Sequence, residues 1–428
     1  MSFSASIFLT LSLGLVANAH PATPKTPCNQ PYDIPLLRDP GYGWMANISV
    51  GTPPQPITMF VDWTWTSQYV VSTTCNGRDD NTAACLHPAQ QLYNQSLSST
   101  YKSEKALYPS ESWYPNEFFP APFNVDYASD VQTIGPVTSR IVLQTSNIQP
   151  GIFTSAPLPF GGIYGMMPDP KGENGQLLLP SLDILDACSP SDLAPFNQQY
   201  RAKAWPQPYS AFAMCPNPSC PKGADAIQTL GGYSPALARK GLSWYDIVEV
   251  PEVNEIDFVF APGVYSYWSI GLSGLYIGNQ AQKLNTTAAL TKEGVPAAIF
   301  DHASKGRGVP LSVDAYANLV KIAGGKPIAP NSPLLTPYAP NNGPQPFFSI
   351  DCKKTKTLPV ISYAFTGSRK QWSVQPSEYV VNVAGTCILD VRAIGEGSFL
   401  LGNFGDNFLK GKYVVFDYAS QRVGLAEL

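Results

Sequence analysis

Two aspartates stand at the ends of similar apolar runs. One run is Ile57-Thr58-Met59-Phe60-Val61-Asp62 and the other is Ala297-Ala298-Ile299-Phe300-Asp301. Short apolar runs of this kind suit buried strands, and two such strands can deliver two carboxylates to one shared centre. Carboxylates held about 3 Å apart cannot both ionise, so one keeps a proton while the other activates water. That is general acid–base chemistry of the kind that hydrolyses an amide. The residues after each aspartate differ between the two copies: Trp63-Thr64-Trp65 follows the first and His302-Ala303-Ser304 the second.

The elements that must position these carboxylates read as mostly strands. The 42 prolines and 34 glycines interrupt the chain often, which favours short strands over long helices. Trp44 to Val50 partly alternates and turns at Gly51-Thr52-Pro53-Pro54. Further strands are expected at Tyr69–Val71, Ser139–Gln144, Trp244–Val250, Tyr265–Tyr276, Tyr413–Asp417 and Arg422–Leu425. Pro180 to Ala187 reads as a helix with its proline in the first turn. Val313 to Ala323 is an amphipathic helix stopped by Gly324-Gly325. Residues 188–225 are Pro-rich and ambiguous, and part of them is expected to join two lobes.

The chain has 428 residues, enough for two lobes. Hydrophobic residues make up 44% and charged residues 14%, with a net charge of −4. A large core is therefore possible. No basic block exists to neutralise phosphates, so no nucleic-acid partner is expected. Residues 1–19 read as a secretory signal peptide, with an apolar stretch from Ile7 to Val16 and Ala17-Asn18-Ala19 before His20. Residues 20–41 read as an exposed N-terminal lead-in. No later segment is apolar for long enough to span a membrane, and the expected location is extracellular.

Eight cysteines in an exported chain favour disulfides. Cys75 and Cys85 bracket a polar loop, Cys215 and Cys220 bracket four residues, and Cys352 and Cys387 flank a hairpin region. Cys28 and Cys188 remain. Only three histidines occur, His20, His87 and His302, and no cysteine pair lies near one at ligand spacing. Neither a metal nor a cofactor is expected. Asn47-Ile48-Ser49, Asn94-Gln95-Ser96 and Asn285-Thr286-Thr287 are glycosylation sequons that mark surface turns.

From about Tyr42 to the end, the chain resembles the pepsin-like aspartic peptidases. The matching segments occur in the family's order: Ile48-Ser49-Val50-Gly51-Thr52-Pro53-Pro54-Gln55, Ser98-Ser99-Thr100-Tyr101, Gly161-Gly162-Ile163-Tyr164-Gly165-Met166, Tyr267-Trp268, Trp372 to Tyr379, Phe399-Leu400-Leu401-Gly402-Asn403-Phe404, and Val415 to Ala426. The resemblance implies a mostly β, bilobal acid-protease fold with a central cleft and a few short helices. The lobes would be residues 42–205 and 206–428. It also implies Asp62 and Asp301 as the catalytic dyad, and a hairpin tyrosine over the cleft for which Tyr127 is the best match.

The loops depart from the family's Asp-Thr-Gly-Ser/Thr. Trp63 and His302 stand where paired threonines would exchange hydrogen bonds. Thr64 and Ala303 add a Cβ where glycine lets backbone amides approach. Trp65 replaces a hydroxyl with an indole, while Ser304 keeps one. A protonated His302 near the dyad would favour ionisation of both acids; an outward His302 satisfied by a carbonyl is the other arrangement. The lead-in from His20 to Gly41 is shorter than a usual pro-segment and carries only Lys25 and Arg38 as cations.

Three functions follow from the same residues. The first is a monomeric acid endopeptidase that cleaves polypeptides. The second is a pseudopeptidase whose cleft binds a partner protein, in the manner of an inhibitor. The third is a repurposed cleft, lined by Trp63, Trp65, Tyr127, His302 and Ser304, that acts on a small apolar molecule, for example in a cyclisation.

Overall fold

The structure is a computed structural model that describes residues 30–39, 43–65, 68–75, 90–106, 111–113, 123–146, 159–168, 194–215, 220–248, 267–284, 294–302, 308–338, 346–391, 393 and 400–428. Strands dominate, joined by a few short helices. In the first half, Gly43–Val50 and Gln55–Asp62 pair antiparallel, from Met45 opposite Phe60 to Val50 opposite Gln55. The far edge of Gln55–Asp62 pairs in parallel with Gly162–Gly165, which sets Asp62 opposite Gly165. Gly162 is required there, because a Cβ on it would stand 2.4 Å from the Tyr69 carbonyl oxygen of the next strand.

The second half repeats this plan. Ala297–Phe300 lies antiparallel to Ser269–Ile277 on one side and parallel to Leu400–Phe404 on the other, with Phe300 opposite Phe404. Each aspartate therefore leaves the end of a short strand clamped between one antiparallel and one parallel neighbour. All four residues of Ala297–Phe300 are buried, as are Ile57, Met59, Phe60 and Val61. A strand covered on both faces reads as a continuous apolar run, which is how residues 59–61 and Ala297–Phe300 appear in the sequence.

A set of antiparallel strands links the halves. Tyr209–Met214 pairs with Ala226–Leu230 and with Lys412–Asp417. Arg422–Glu427 continues from Lys412–Asp417, and Ser243–Asp246 follows. Tyr32–Asp39 closes the other side against Ala226–Leu230 and runs on to Gly43–Val50. This corrects the expectation of an exposed lead-in over 20–41. Residues 32–39 are a strand whose Ile34 and Leu36 are buried in the core. Residues 20–29, 40 and 41 lie outside the described residues.

Asp406 fastens this first strand to the C-terminal end of the chain. Its carboxylate accepts from the buried Trp44 Nε1 at 2.8 Å and from Arg38 Nε at 2.7 Å. Asp406→Ala is expected to cost about 2 kcal/mol, chiefly by leaving the buried indole N–H without an acceptor. The Arg38 side chain is one-third exposed, so its share is small. A lowered urea midpoint at constant slope would report this loss.

The helix over Val313–Ala323 forms as the pattern predicts. Ser312 caps it by accepting from the Ala315 N–H, and Gly324 ends it in the left-handed region at φ 64°. The segment 188–225 instead contains a helix, Pro195–Arg201, and the strand Tyr209–Met214. The expected helix at Pro180–Ala187 lies outside the described residues. Disulfides join Cys215 to Cys220 and Cys352 to Cys387. Cys75 is also disulfide-bonded, while Cys28, Cys85 and Cys188 lie outside the described residues. Among the described residues, no helix is long and apolar enough to cross a membrane.

Candidate active site

The residues that follow the two aspartates meet. The rings of Trp63 and His302 stack with centroids 3.9 Å apart and planes tilted by 38°. Both side chains are buried. Phe212 presents its edge to Trp63 at 5.0 Å and packs on His302 at 5.5 Å. Phe416 closes the far side of Trp63 at 4.8 Å. The two loops therefore touch through an aromatic stack where threonine hydroxyls would pair in the family's usual loops. Trp63 is not left with an idle donor: its Nε1 donates to Gln228 Oε1 at 3.1 Å. Gln228 is oriented in turn by donating to Ser210 Oγ at 2.7 Å and to the Ala211 carbonyl at 3.0 Å.

His302 fits neither arrangement expected from the sequence. It is buried, and among the described residues neither ring nitrogen meets a hydrogen-bond partner. Burial holds its pKa well below the ordinary histidine value, so the ring is neutral. A neutral imidazole cannot drive both carboxylates to ionise. The two orphaned nitrogens each carry a desolvation cost of about 1–3 kcal/mol, which the surrounding aromatic packing must offset.

Each carboxylate has a side-chain donor. The backbone N–H and the hydroxyl of Thr64 both donate to Asp62 Oδ1, each at 2.7 Å. Burial pushes the Asp62 carboxyl above its ordinary value, and the two Thr64 bonds pull it part of the way back. Thr64, rather than its neighbour Trp65, thus supplies the hydroxyl support in the first loop. In the second half, Asn403 Nδ2 donates to Asp301 Oδ2 at 2.8 Å. Asp301 is positioned through its backbone as well, its N–H donating to the Phe404 carbonyl at 3.1 Å.

The two halves are also tied just behind the site. The Asp62 carbonyl accepts from the Met166 N–H at 2.8 Å. The Met166 carbonyl then accepts from two groups of the second half, Trp268 Nε1 at 2.8 Å and the Tyr418 hydroxyl at 2.9 Å. Trp268 and Tyr418 also pack edge to face, with ring centroids 4.8 Å apart.

The remaining site residues divide. Trp65 is buried, with its ring 6.4 Å from that of Tyr69. Tyr127 lies in the strand Phe123–Ile134, which pairs antiparallel with Val137–Ser146 as a hairpin and sets Tyr127 opposite Gln144. It is buried, and its hydroxyl accepts from Gln144 Nε2 at 3.1 Å. Ser304 and Asn285 lie outside the described residues. Asn47 is exposed and Asn94 partly so. Among the described residues, no group of three metal-ligating side chains comes together. Thr64, Gln228 and Asn403 are the site residues that sequence reasoning missed as supports. Asn403 stands in a quoted motif, yet nothing local marks its amide as facing Asp301.

The doubled strand arrangement, with an aspartate leaving each copy, defines the pepsin-like aspartic protease fold. Residues 210–428 match the family model described as eukaryotic aspartyl protease. The chain is 37% identical to "Aspartic protease-like protein pytH" of Aspergillus terreus, over 99% of each chain. It is 36% identical to "Aspartic protease-like protein pynH" of Aspergillus niger, over 98% of each. It is 37% identical to a "Probable secreted aspartic protease" of Arthroderma benhamiae, over 89% of this chain and 88% of the other. The protein belongs to the eukaryotic aspartyl protease family.

Proposed function

We propose that this protein is a secreted aspartic endopeptidase that uses Asp62 and Asp301 as a joint acid–base pair and works in weakly rather than strongly acidic conditions. The observation that carries this reading is the Trp63–His302 stack. It joins the residues next in sequence to both aspartates, so the loops that bear the carboxylates meet. The donors Thr64 and Asn403, one to each carboxylate, add support. With one proton between them, the ionised carboxylate takes a proton from water as the water oxygen attacks the scissile carbonyl carbon. The protonated carboxyl gives its proton to the carbonyl oxygen. The tetrahedral diol then collapses: one diol hydroxyl gives its proton to the ionised carboxylate as its C=O re-forms, the C–N bond breaks, the amine nitrogen takes the proton of the other carboxyl, and the pair is left with one proton. The pair titrates jointly, so either aspartate can hold the proton at rest.

Trp63 and His302 are buried and act beneath the carboxylates as positioning residues. Trp65 and Tyr127 are buried as well and are proposed to shape the cleft wall, with Ser304 bordering the polypeptide. The reading includes a monomer of two lobes, 42–205 and 206–428, exported by a leader over residues 1–19. The test is cleavage of a denatured protein substrate across pH 3 to 7. Cleavage that disappears in both Asp62→Asn and Asp301→Asn supports the assignment. Absence of cleavage at every pH, or cleavage unchanged in either variant, removes it.

A second reading is favoured by the aromatic stack in place of the hydroxyl pair and by relatives named "protease-like". In it the cleft has left proteolysis for binding a partner protein or converting a small apolar molecule. Extracts made with and without the protein would then differ in a small molecule, or a defined partner would co-purify, while denatured protein stays intact.

A further inference from the structure

The two halves of the site can be compared position by position, because each aspartate strand has a parallel neighbour in the same register. Phe60, two residues before Asp62, lies opposite Ile163. Ile299, two residues before Asp301, lies opposite Asn403. Ile163 and Asn403 therefore occupy matching places. Ile163 is apolar and buried, so the fold does not require a polar group at this place. Asn403 nevertheless puts an amide there and donates to Asp301 Oδ2 at 2.8 Å. The support on the other carboxylate is equally one-sided. Thr64 lies two residues beyond Asp62 and donates its hydroxyl, whereas the residue two beyond Asp301 is Ala303, which has none.

We infer that Asn403 is a positioning residue that fixes the Asp301 carboxylate and sets its titration. The inference rests on the reading of Asp62 and Asp301 as the working pair. A carboxamide suits this task because it donates without carrying charge, and so the bond survives across the whole pH range in which the pair changes protonation. A bond donated to a carboxylate is strengthened by the negative charge, so it favours the ionised form and lowers the pH at which Asp301 takes up a proton. Since Thr64 and Asn403 act on different carboxylates from places that do not match, the pair is asymmetric even though the strands beneath it are built alike.

The experiment is a carboxyl ¹³C titration of the full chain labelled at aspartate, with the Asp301 signal identified by its loss in Asp301→Asn. In Asn403→Ile, which copies the residue tolerated at the matching place, the Asp301 midpoint is expected to rise by about one pH unit. Asn403→Asp keeps the shape of the side chain and serves where the isoleucine variant does not fold. There an acceptor replaces a donor, and the Asp301 midpoint rises further as the new carboxyl competes for the same proton. A midpoint unchanged within about 0.3 units in a folded variant, small against the one-unit shift expected from losing the bond, overturns the inference. This readout needs no substrate, so a lack of peptidase activity would remove the proposed function and leave this result to stand by itself. Where cleavage is measurable, the acid limb of kcat is expected to move with the midpoint while KM stays constant.

Discussion

His302→Phe is expected to stabilise the protein at every pH, and by more as the solution becomes acidic. Unfolded, His302 takes up a proton below its ordinary value of about 6.5. Folded, its pKa lies well below that because the ring is buried. The unfolded state therefore binds more protons as pH falls from 6.5 towards the folded value, and the wild-type chain loses stability throughout that window. The slope is about 1.4 kcal/mol per pH unit, or about 2 kcal/mol by pH 5. Asp62 works in the opposite sense. Its folded pKa is raised above 3.8, so acidification through that folded value towards 3.8 favours the native state. The difference between wild type and His302→Phe cancels the Asp62 contribution and isolates the imidazole.

Magnitudes decide whether the ring could charge in place. The Trp63 face 3.9 Å away would return about 2 kcal/mol to an imidazolium as a cation–π contact. Burying a cation costs several kcal/mol more than burying the neutral ring. The acids next in sequence to this stack, Asp62 and Asp301, make no hydrogen bond to either imidazole nitrogen. Desolvation wins, and the ring stays neutral. Urea midpoints for the two proteins at pH 7.5, 6 and 5 measure the effect. A gap that does not widen on acidification would show that His302 is charged, or exposed, in the native protein. The same physics is the reason for placing the working range in weak acid. With Asp62 raised by burial, strong acid would protonate both carboxyls and at the same time destabilise the fold that holds His302 neutral.

The parts of this fold that could be read from the sequence are those fixed by local physics. Val313–Ala323 was legible to the residue because Ser312 and Gly324 mark its ends and its apolar stripe has a helical period. Both aspartate strands were legible because residues 59–61 and Ala297–Phe300 are covered on both faces and so are continuously apolar. Tyr32–Asp39 was not, because only Ile34 and Leu36 are buried in it, between prolines that read as loop. Pro195–Arg201 is short, and its capping residue, Ala194, makes no side-chain cap. The site divides in the same way. Asp62 and Asp301 announce themselves through their strands. Gln228 and Asn403 lie 165 and 102 residues from the side chains they serve, so only the tertiary fold reveals their roles. His302 was visible as a departure, but its protonation state depended on which way the ring turned.

Trp63 is expected to be the costliest single position in the site. Trp63→Thr removes a fully buried indole, its edge contacts with Phe212 and Phe416, and the donor that satisfies Gln228 Oε1. A loss of about 3–5 kcal/mol is expected. His302→Thr costs far less at pH 7.5, because the same change that opens a smaller cavity also removes two unpartnered buried nitrogens. The informative measurement is the double variant. If the stack is what holds the loops together, the contact is lost once but charged to both single variants. The double variant should then be more stable than the sum predicts, by about 0.5–1.5 kcal/mol for an aromatic pair. Two threonines facing each other can also exchange hydroxyl bonds, which adds to the same sign. Strict additivity would mean that the rings merely lie side by side while the Met166 bonds to Trp268 and Tyr418 do the joining. Recovery of stability in the double variant, accompanied by a change in the pH dependence of cleavage, would tie the stack to the geometry of the carboxylate pair.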